Sequence, residues 1–173
     1  RKEIHSELPI WGGFFAGATS NFLIFGKENP SQSNSAEVVR IVKYSKDWQR
    51  QGSYSLNGAN TTVPFDAGSV RCTELNGDLY VRTCHEMYTS SDGKNHQSNM
   101  TIVVHESDMS LKEAHYAVVG GRPDNYTSHS FNQFILTDSN GKVVMVDHGD
   151  AYARAISIAQ YGGGNSIILN IPG

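Results

Sequence analysis

The sequence predicts an all-β chain: about three four-stranded antiparallel blades of a β-propeller, forming an incomplete ring or a fragment of one. Three observations predict it. An apolar strand with a polar tip occurs as Asn21–Glu28, again as Leu79–Glu86 and again as Val143–Asp150, at a spacing of about sixty residues, as blade repeats do. The residue content is that of strands. Val39, Ile41 and Val42, like Ile102, Val103 and Val104, are β-branched runs, and no amphipathic helix is legible, since Lys112–His115 is too short. Turn signals stand where hairpins need them, Asn76-Gly77 being the strongest.

The elements follow in order. The first unit, Trp11–Leu56, opens with a strand over Gly12–Gly17 and turns at Ala18–Ser20 into the first tipped strand. A polar, Ser-rich insertion, Asn29–Ala36, leads to a third strand, Val38–Tyr44. Ser45-Lys46-Asp47 then turns the chain into a fourth, Gly52–Leu56. The second unit, Gly68–Val119, repeats the plan. Gly68–Glu74 turns at Asn76-Gly77, and Met87–Gln97 is an insertion with a turn at Asp92-Gly93. Met100–His105 and His115–Val119 are its third and fourth strands, around Ser107-Asp108-Met109. The third unit, His129–Ile171, uses Phe131–Thr137, a turn at Asn140-Gly141, then Arg154–Gln160 and Ser166–Ile171, with only Ala151–Ala153 inserted. Asn57–Ala67 and Gly120–Ser128 read as linkers, so residues 1–173 form one propeller-like domain or part of one. Propellers need at least about four blades, so three cannot close, and the chain is expected to join further blades, copies of itself or another subunit. A β-sandwich of similar strand number is the alternative, but it gives the repeat no reason to exist.

Composition narrows the function classes. A formal net charge of -3 with 18% charged residues, and no basic stripe, excludes the usual nucleic-acid footprint. No apolar stretch approaches the roughly eighteen residues of a membrane span. Low charge, abundant Asn, Ser, Thr and Gly, and sequons at Asn60, Asn99 and Asn125 suit an extracellular or cell-surface protein with glycosylation at those positions. A two-residue turn at Asn76-Gly77 sets Cys72 opposite Val81 and Cys84 opposite Ser69. The sulfurs then lie out of register on opposite faces and do not bridge within the hairpin. Unpaired thiols beside a core and a bridge through a longer loop both stay open.

Four runs carry a resemblance: Glu7–Phe15, Asn60–Ser69, Ser128–Ile135 and Asp147–Tyr152. On these the chain resembles a group of uncharacterised secreted bacterial proteins with β-propeller-like repeats. The resemblance spans most of the chain. It implies the fold and secretion, and no activity. The group continues its last motif with Pro-Arg, where this chain has Ala153-Arg154 and hence a looser turn.

The polar tips are the candidate site. Counting back from Asn140-Gly141 puts Gln133 opposite His148 and Phe131 opposite Asp150, so Gln133, His148 and Asp150 share a face, with His129 just before the strand. Repeat symmetry adds His85, Glu86, His96 and Gln97 from the second unit, and Glu28 and Asn29 from the first, around one mouth. His with Gln or Asp suits a divalent metal, although no recognised zinc spacing supports one. The reading favoured for these groups is that they cap strands, bond neighbouring loops and fix blade-to-blade packing. Tyr88 and Tyr126, in polar loops, are sugar-stacking candidates, and Arg71, Arg82 and Arg154 could meet an acidic sugar. The leading expectation is an extracellular binding or assembly module for carbohydrate or protein. The alternative is a polysaccharide-acting lyase or hydrolase, with His85, His129, His148 and Asp150 around a metal or as general base.

Overall fold

The structure is a computed structural model that describes residues 2–66, 68–116, 130–149, 155–163 and 165–170. All its regular elements are strands, in three antiparallel sheets. The first sheet runs β1 (Ile10–Ala16), β2 (Ser20–Gly26), β3 (Glu37–Ser45) and β4 (Arg50–Asn57), in chain order. The third runs β10 (Ser130–Thr137), β11 (Val143–Gly149), β12 (Ala155–Gln160) and β13 (Asn165–Asn170). Between them lie β5 (Thr61–Pro64), β6 (Arg71–Leu75), β7 (Asp78–Thr89), β8 (Asn95–His105) and β9 (Leu111–His115). No helix among the described residues is long and apolar enough to cross a membrane.

The middle sheet departs from the four-strand expectation, and the reason is length. β7 has 12 residues, and β6 pairs only with its first part, Asp78–Arg82. The later part would present unpaired amides and carbonyls. Thr61–Pro64, expected as linker, covers His85–Met87 instead. The expected insertion Met87–Gln97 is largely the continuation of β7 and β8 into a long hairpin. Its turn does fall at Asp92-Gly93, with Gly93 at φ 78. The fourth strand ends at His115 rather than beginning there.

Two hairpin turns differ in a way that decides the third sheet. Asn76 and Gly77 both take positive φ, 54 and 80, the two-residue turn that matches strand twist. Leu75 therefore faces Asp78, and Cys72 faces Val81 as expected. At Asn140-Gly141 only Gly141 does so (φ 69). Asp138 N–H donates to the Lys142 carbonyl at 2.8 Å, and the Asp138 carboxylate accepts from the amides of Asn140 (2.9 Å) and Lys142 (2.8 Å). That Asp-stabilised turn has three loop residues instead of two. The register moves by one: Gln133 faces Asp147, and Asn132 faces His148. A slip of one residue puts every side chain on the other face.

The sheets stack in a row, in chain order. Between the first and second lies an apolar core of Phe22, Ile24, Ile41, Leu79, Val81 and Ile102. Between the second and third the packing is mixed. Tyr80, Val103, Ile135 and Met145 are its apolar part. The guanidinium of Arg82 meets the Asp147 carboxylate at 2.6 Å, and both are buried. The outward face of the first sheet, Leu23, Phe25, Val42 and Tyr44, is covered by Ile4, Leu8 and Trp48. Glu7 pins that N-terminal segment by pairing with Arg50 at 2.8 Å and Arg40 at 3.2 Å.

Candidate functional site

The residues expected around one mouth do not converge. His85 is fully buried on the side of β7 that carries Leu79 and Val81, facing the first sheet. Its Nδ1 contacts Thr61 Oγ1 at 2.7 Å and its Nε2 contacts Ser98 Oγ at 3.0 Å. Burial lowers its pKa from 6.5 to about 3, so the ring is neutral. Gln133 is fully buried at the opposite face of the middle sheet, where its Oε1 accepts from the Ser69 amide at 3.0 Å. Asp147, beside it across the pair, is spent on Arg82. His148 points away from both, on the outward face of the third sheet. The expected sharing of a face by Gln133 and His148 is thus corrected by the three-residue turn.

His96 and Gln97 are strand residues rather than loop ends. His96 Nε2 contacts the Asp92 carboxylate at 2.9 Å, and the Gln97 amide donates to the Asp66 carboxylate. Arg82 is committed to Asp147 and to Thr101 at 2.5 Å, which removes it from any arginine cluster. Among the sequons, Asn60 takes positive φ (51) and is half-buried. Asn99 is only 6% exposed, opposite Cys84 in mid-strand, which leaves no room for a glycan in the folded chain. His129, Tyr126, Asn125, Asp150 and Arg154 lie outside the described residues. Cys72 and Cys84 are unbridged, one facing each neighbouring sheet, and burial pushes the Cys84 thiol up to about 12. Among the described residues, no three of His, Cys, Asp and Glu stand together as a metal-ligand set.

What does converge is a polar cleft of about 290 Å³ between the β2–β3 loop and the β7–β8 hairpin, lined by Glu28, Gln32, Thr62, Glu86 and Asn95 with Pro30 and Val63. Glu28 and Glu86, which hold the equivalent tip positions of their units, both line this cleft. Glu86 is oriented by Thr62, whose hydroxyl donates to its carboxylate at 2.6 Å. The walls are braced from behind. The buried amide of Asn29 donates to the Thr61 carbonyl (3.1 Å), the Tyr88 hydroxyl (3.1 Å) and the Ser33 carbonyl (3.0 Å). Tyr88 in turn donates to the Ser33 carbonyl at 3.1 Å, so it serves as a strut. Gln32 and Thr89 exchange two hydrogen bonds, at 2.7 and 3.1 Å, joining loop to hairpin. Gln32, Ala59, Asn60 and Phe65 all take positive φ around this region, a strained backbone held by its surroundings. Thr62, Gln32 and Asn95 were not legible as site residues, because the strand that brings Thr62 to the rim was read as linker.

An aromatic groove lies on the outward face of the first sheet. A bulge at Gly12 shifts the register so that Trp11 faces Phe25 and Phe14 faces Leu23, placing both aromatics on one face although they are three apart. A Cβ at Gly12 would strike the Phe65 ring at 2.7 Å, which reserves that position for glycine. Trp48, at φ 67, stacks on Phe14 with centroids 5.8 Å apart.

No family model and no curated protein matches the chain. Among solved structures, it is similar to the GH43 BlXynB protein from Bacillus licheniformis, with a TM-score of 0.52 and 12% identity, over 95% of this chain and 32% of that one. The chain spans about a third of that protein's length. At this identity the likeness speaks for fold alone: the chain is propeller-like, as that neighbour is.

Proposed function

We propose that the chain is an extracellular propeller-like binding module of the secreted group it resembles, taking a hydroxyl-rich carbohydrate in the rim cleft. One observation carries this reading: in the cleft Thr62 orients the Glu86 carboxylate, and the Gln32 and Asn95 amides are held by Thr89 and the Met87 carbonyl. Preorganised acceptors and donors of this kind suit vicinal sugar hydroxyls. Among the described residues no Lys or Arg lines the cleft, so a neutral sugar fits it better than an acidic one. Affinity electrophoresis against xylan, glucan and mannan tests the proposal, with the Glu86→Ala variant as control. Retardation that disappears in the variant, with circular dichroism unchanged, is the expected result. Equal migration of both proteins on every gel overturns it.

A second reading is favoured by the neighbour's being a glycoside hydrolase and by two carboxylates facing one cleft. Glycoside hydrolysis commonly uses such a pair. Release of reducing sugar from the same polysaccharides, lost in Glu28→Gln and Glu86→Gln, would favour hydrolysis over binding alone.

A further inference from the structure

Asn-Gly pairs occur three times in the chain, at Asn57-Gly58, Asn76-Gly77 and Asn140-Gly141, and all three asparagines are exposed. Such a pair can react with itself. The glycine amide nitrogen, once it has lost its proton, can attack the asparagine side-chain carbonyl, because glycine has no Cβ to stand in the way. An amide that donates a hydrogen bond is held back from that reaction, since its proton is engaged and its peptide plane is fixed. What each glycine amide does therefore decides which pair is reactive.

The structure separates the three pairs. Gly58 is buried and donates its amide to the Ala36 carbonyl at 2.8 Å, and a Cβ there would meet Asn34 at 2.6 Å. Gly141 donates its amide to the Asp138 carbonyl at 3.1 Å, and the Asp138 carboxylate fixes the amides on either side. Gly77 is different. It is exposed, and its amide donates to no group among the described residues. Apart from its chain neighbours, no atom lies within 4 Å of the position a Cβ would take. Its carbonyl alone is engaged, by the Glu106 amide at 2.9 Å. The two-residue turn leaves the Gly77 amide without a partner because the hairpin closes on the Leu75 and Asp78 pair outside it.

We propose that Asn76 is a site of spontaneous deamidation in the folded protein. The Gly77 N–H proton passes to water, and the nitrogen bonds to Asn76 Cγ. The Cγ–Nδ2 bond breaks, and the departing ammonia takes a proton back from water. Water then opens the resulting five-membered imide at one of its two carbonyls, giving aspartate or isoaspartate. No oxidant or reductant takes part. Isoaspartate carries the chain through the side-chain carboxyl and so adds one methylene to the backbone of the turn. The two-residue geometry that pairs Leu75 with Asp78 is then lost. The effect reaches beyond the turn. Glu106, anchored by Gly77, accepts on its own carbonyl from Lys43 Nζ of the first sheet at 2.6 Å, so the modified turn loosens a tie between the first two sheets.

Ageing the folded chain at mildly alkaline pH tests this, with samples digested by trypsin and weighed by mass spectrometry against a zero-time sample. A second portion is aged unfolded in urea. Asn76 falls in the peptide Cys72–Arg82, apart from Asn57 and Asn140. In the folded chain that peptide should gain the mass of an amide-to-acid exchange and split into aspartate and isoaspartate forms. The peptides of Asn57 and Asn140 should stay unchanged. In urea all three should convert at similar rates. The purified isoaspartate form should unfold at lower urea than the Asn76→Asp variant, which has the same charge on an unlengthened backbone. Conversion of Asn76 in the folded chain no faster than that of Asn57 or Asn140 overturns the proposal. An isoaspartate form as stable as Asn76→Asp overturns the loosening of the turn.

Discussion

His85 gives the sharpest test of how the polar tips are used. In the folded chain it is buried between Thr61 and Ser98, with its pKa lowered from 6.5 to about 3. The unfolded chain therefore binds a proton near pH 6.5 that the folded chain refuses down to about 3. Stability is present in full above 6.5 and falls with pH through that window. The slope is about 1.4 kcal/mol per pH unit, so going down to about pH 4.5 removes about 3 kcal/mol through this one residue. His85→Gln keeps hydrogen-bonding capacity and cannot titrate. It should be less stable than the unaltered chain at about pH 7.5, by about 1–3 kcal/mol for imperfect hydrogen bonds. At about pH 4.5 the gap should shrink by about 3 kcal/mol, so that the two proteins converge or cross. Urea unfolding followed by circular dichroism at both pH values measures the gap. Other groups also titrate over this range, but they do so in both proteins and cancel in the difference. Parallel loss of stability in the two proteins would refute the reasoning, because His85 would then have to be accessible to protons in the folded chain.

Three further outcomes are expected. Asp147→Asn leaves the Arg82 charge buried without its counter-ion and should destabilise by about 3–5 kcal/mol, whereas Arg82→Met with Asp147→Leu should lose much less, both read by urea unfolding. Thiol titration of the denatured, non-reduced chain should find both Cys72 and Cys84 free. In the folded protein Cys84, with its thiol held near about 12, should react only on the timescale of opening. The Glu106 carboxyl is raised by burial and then by the charge of Glu74, so its stabilising contribution is present in acid and lost as pH rises through the raised value. Glu106→Gln should remove that pH slope, and an unchanged slope would locate it elsewhere.

The sequence by itself determined the strand content, the three-fold repeat and the Asn76-Gly77 hairpin, because these rest on local chemistry. β-Branched runs favour the pleated backbone, and an Asn-Gly pair accepts positive φ at both turn positions. From that turn alone Cys72 was correctly paired with Val81, and the two cysteines with opposite faces. The tertiary structure decided what local signals could not. Whether Asn140-Gly141 makes a two- or three-residue turn depends on the Asp138 carboxylate capturing two amides, and that one-residue difference moves Gln133 away from His148 and onto Asp147. Thr61–Pro64 became a strand only because a 12-residue β7 outran β6 and left backbone groups to be paired. His85, read as a polar tip, became a neutral buried ring, and Asp147, which no sequence signal singled out, became half of a buried ion pair, because burial and the partner across the next sheet, which no local window contains, set what a titratable group can do.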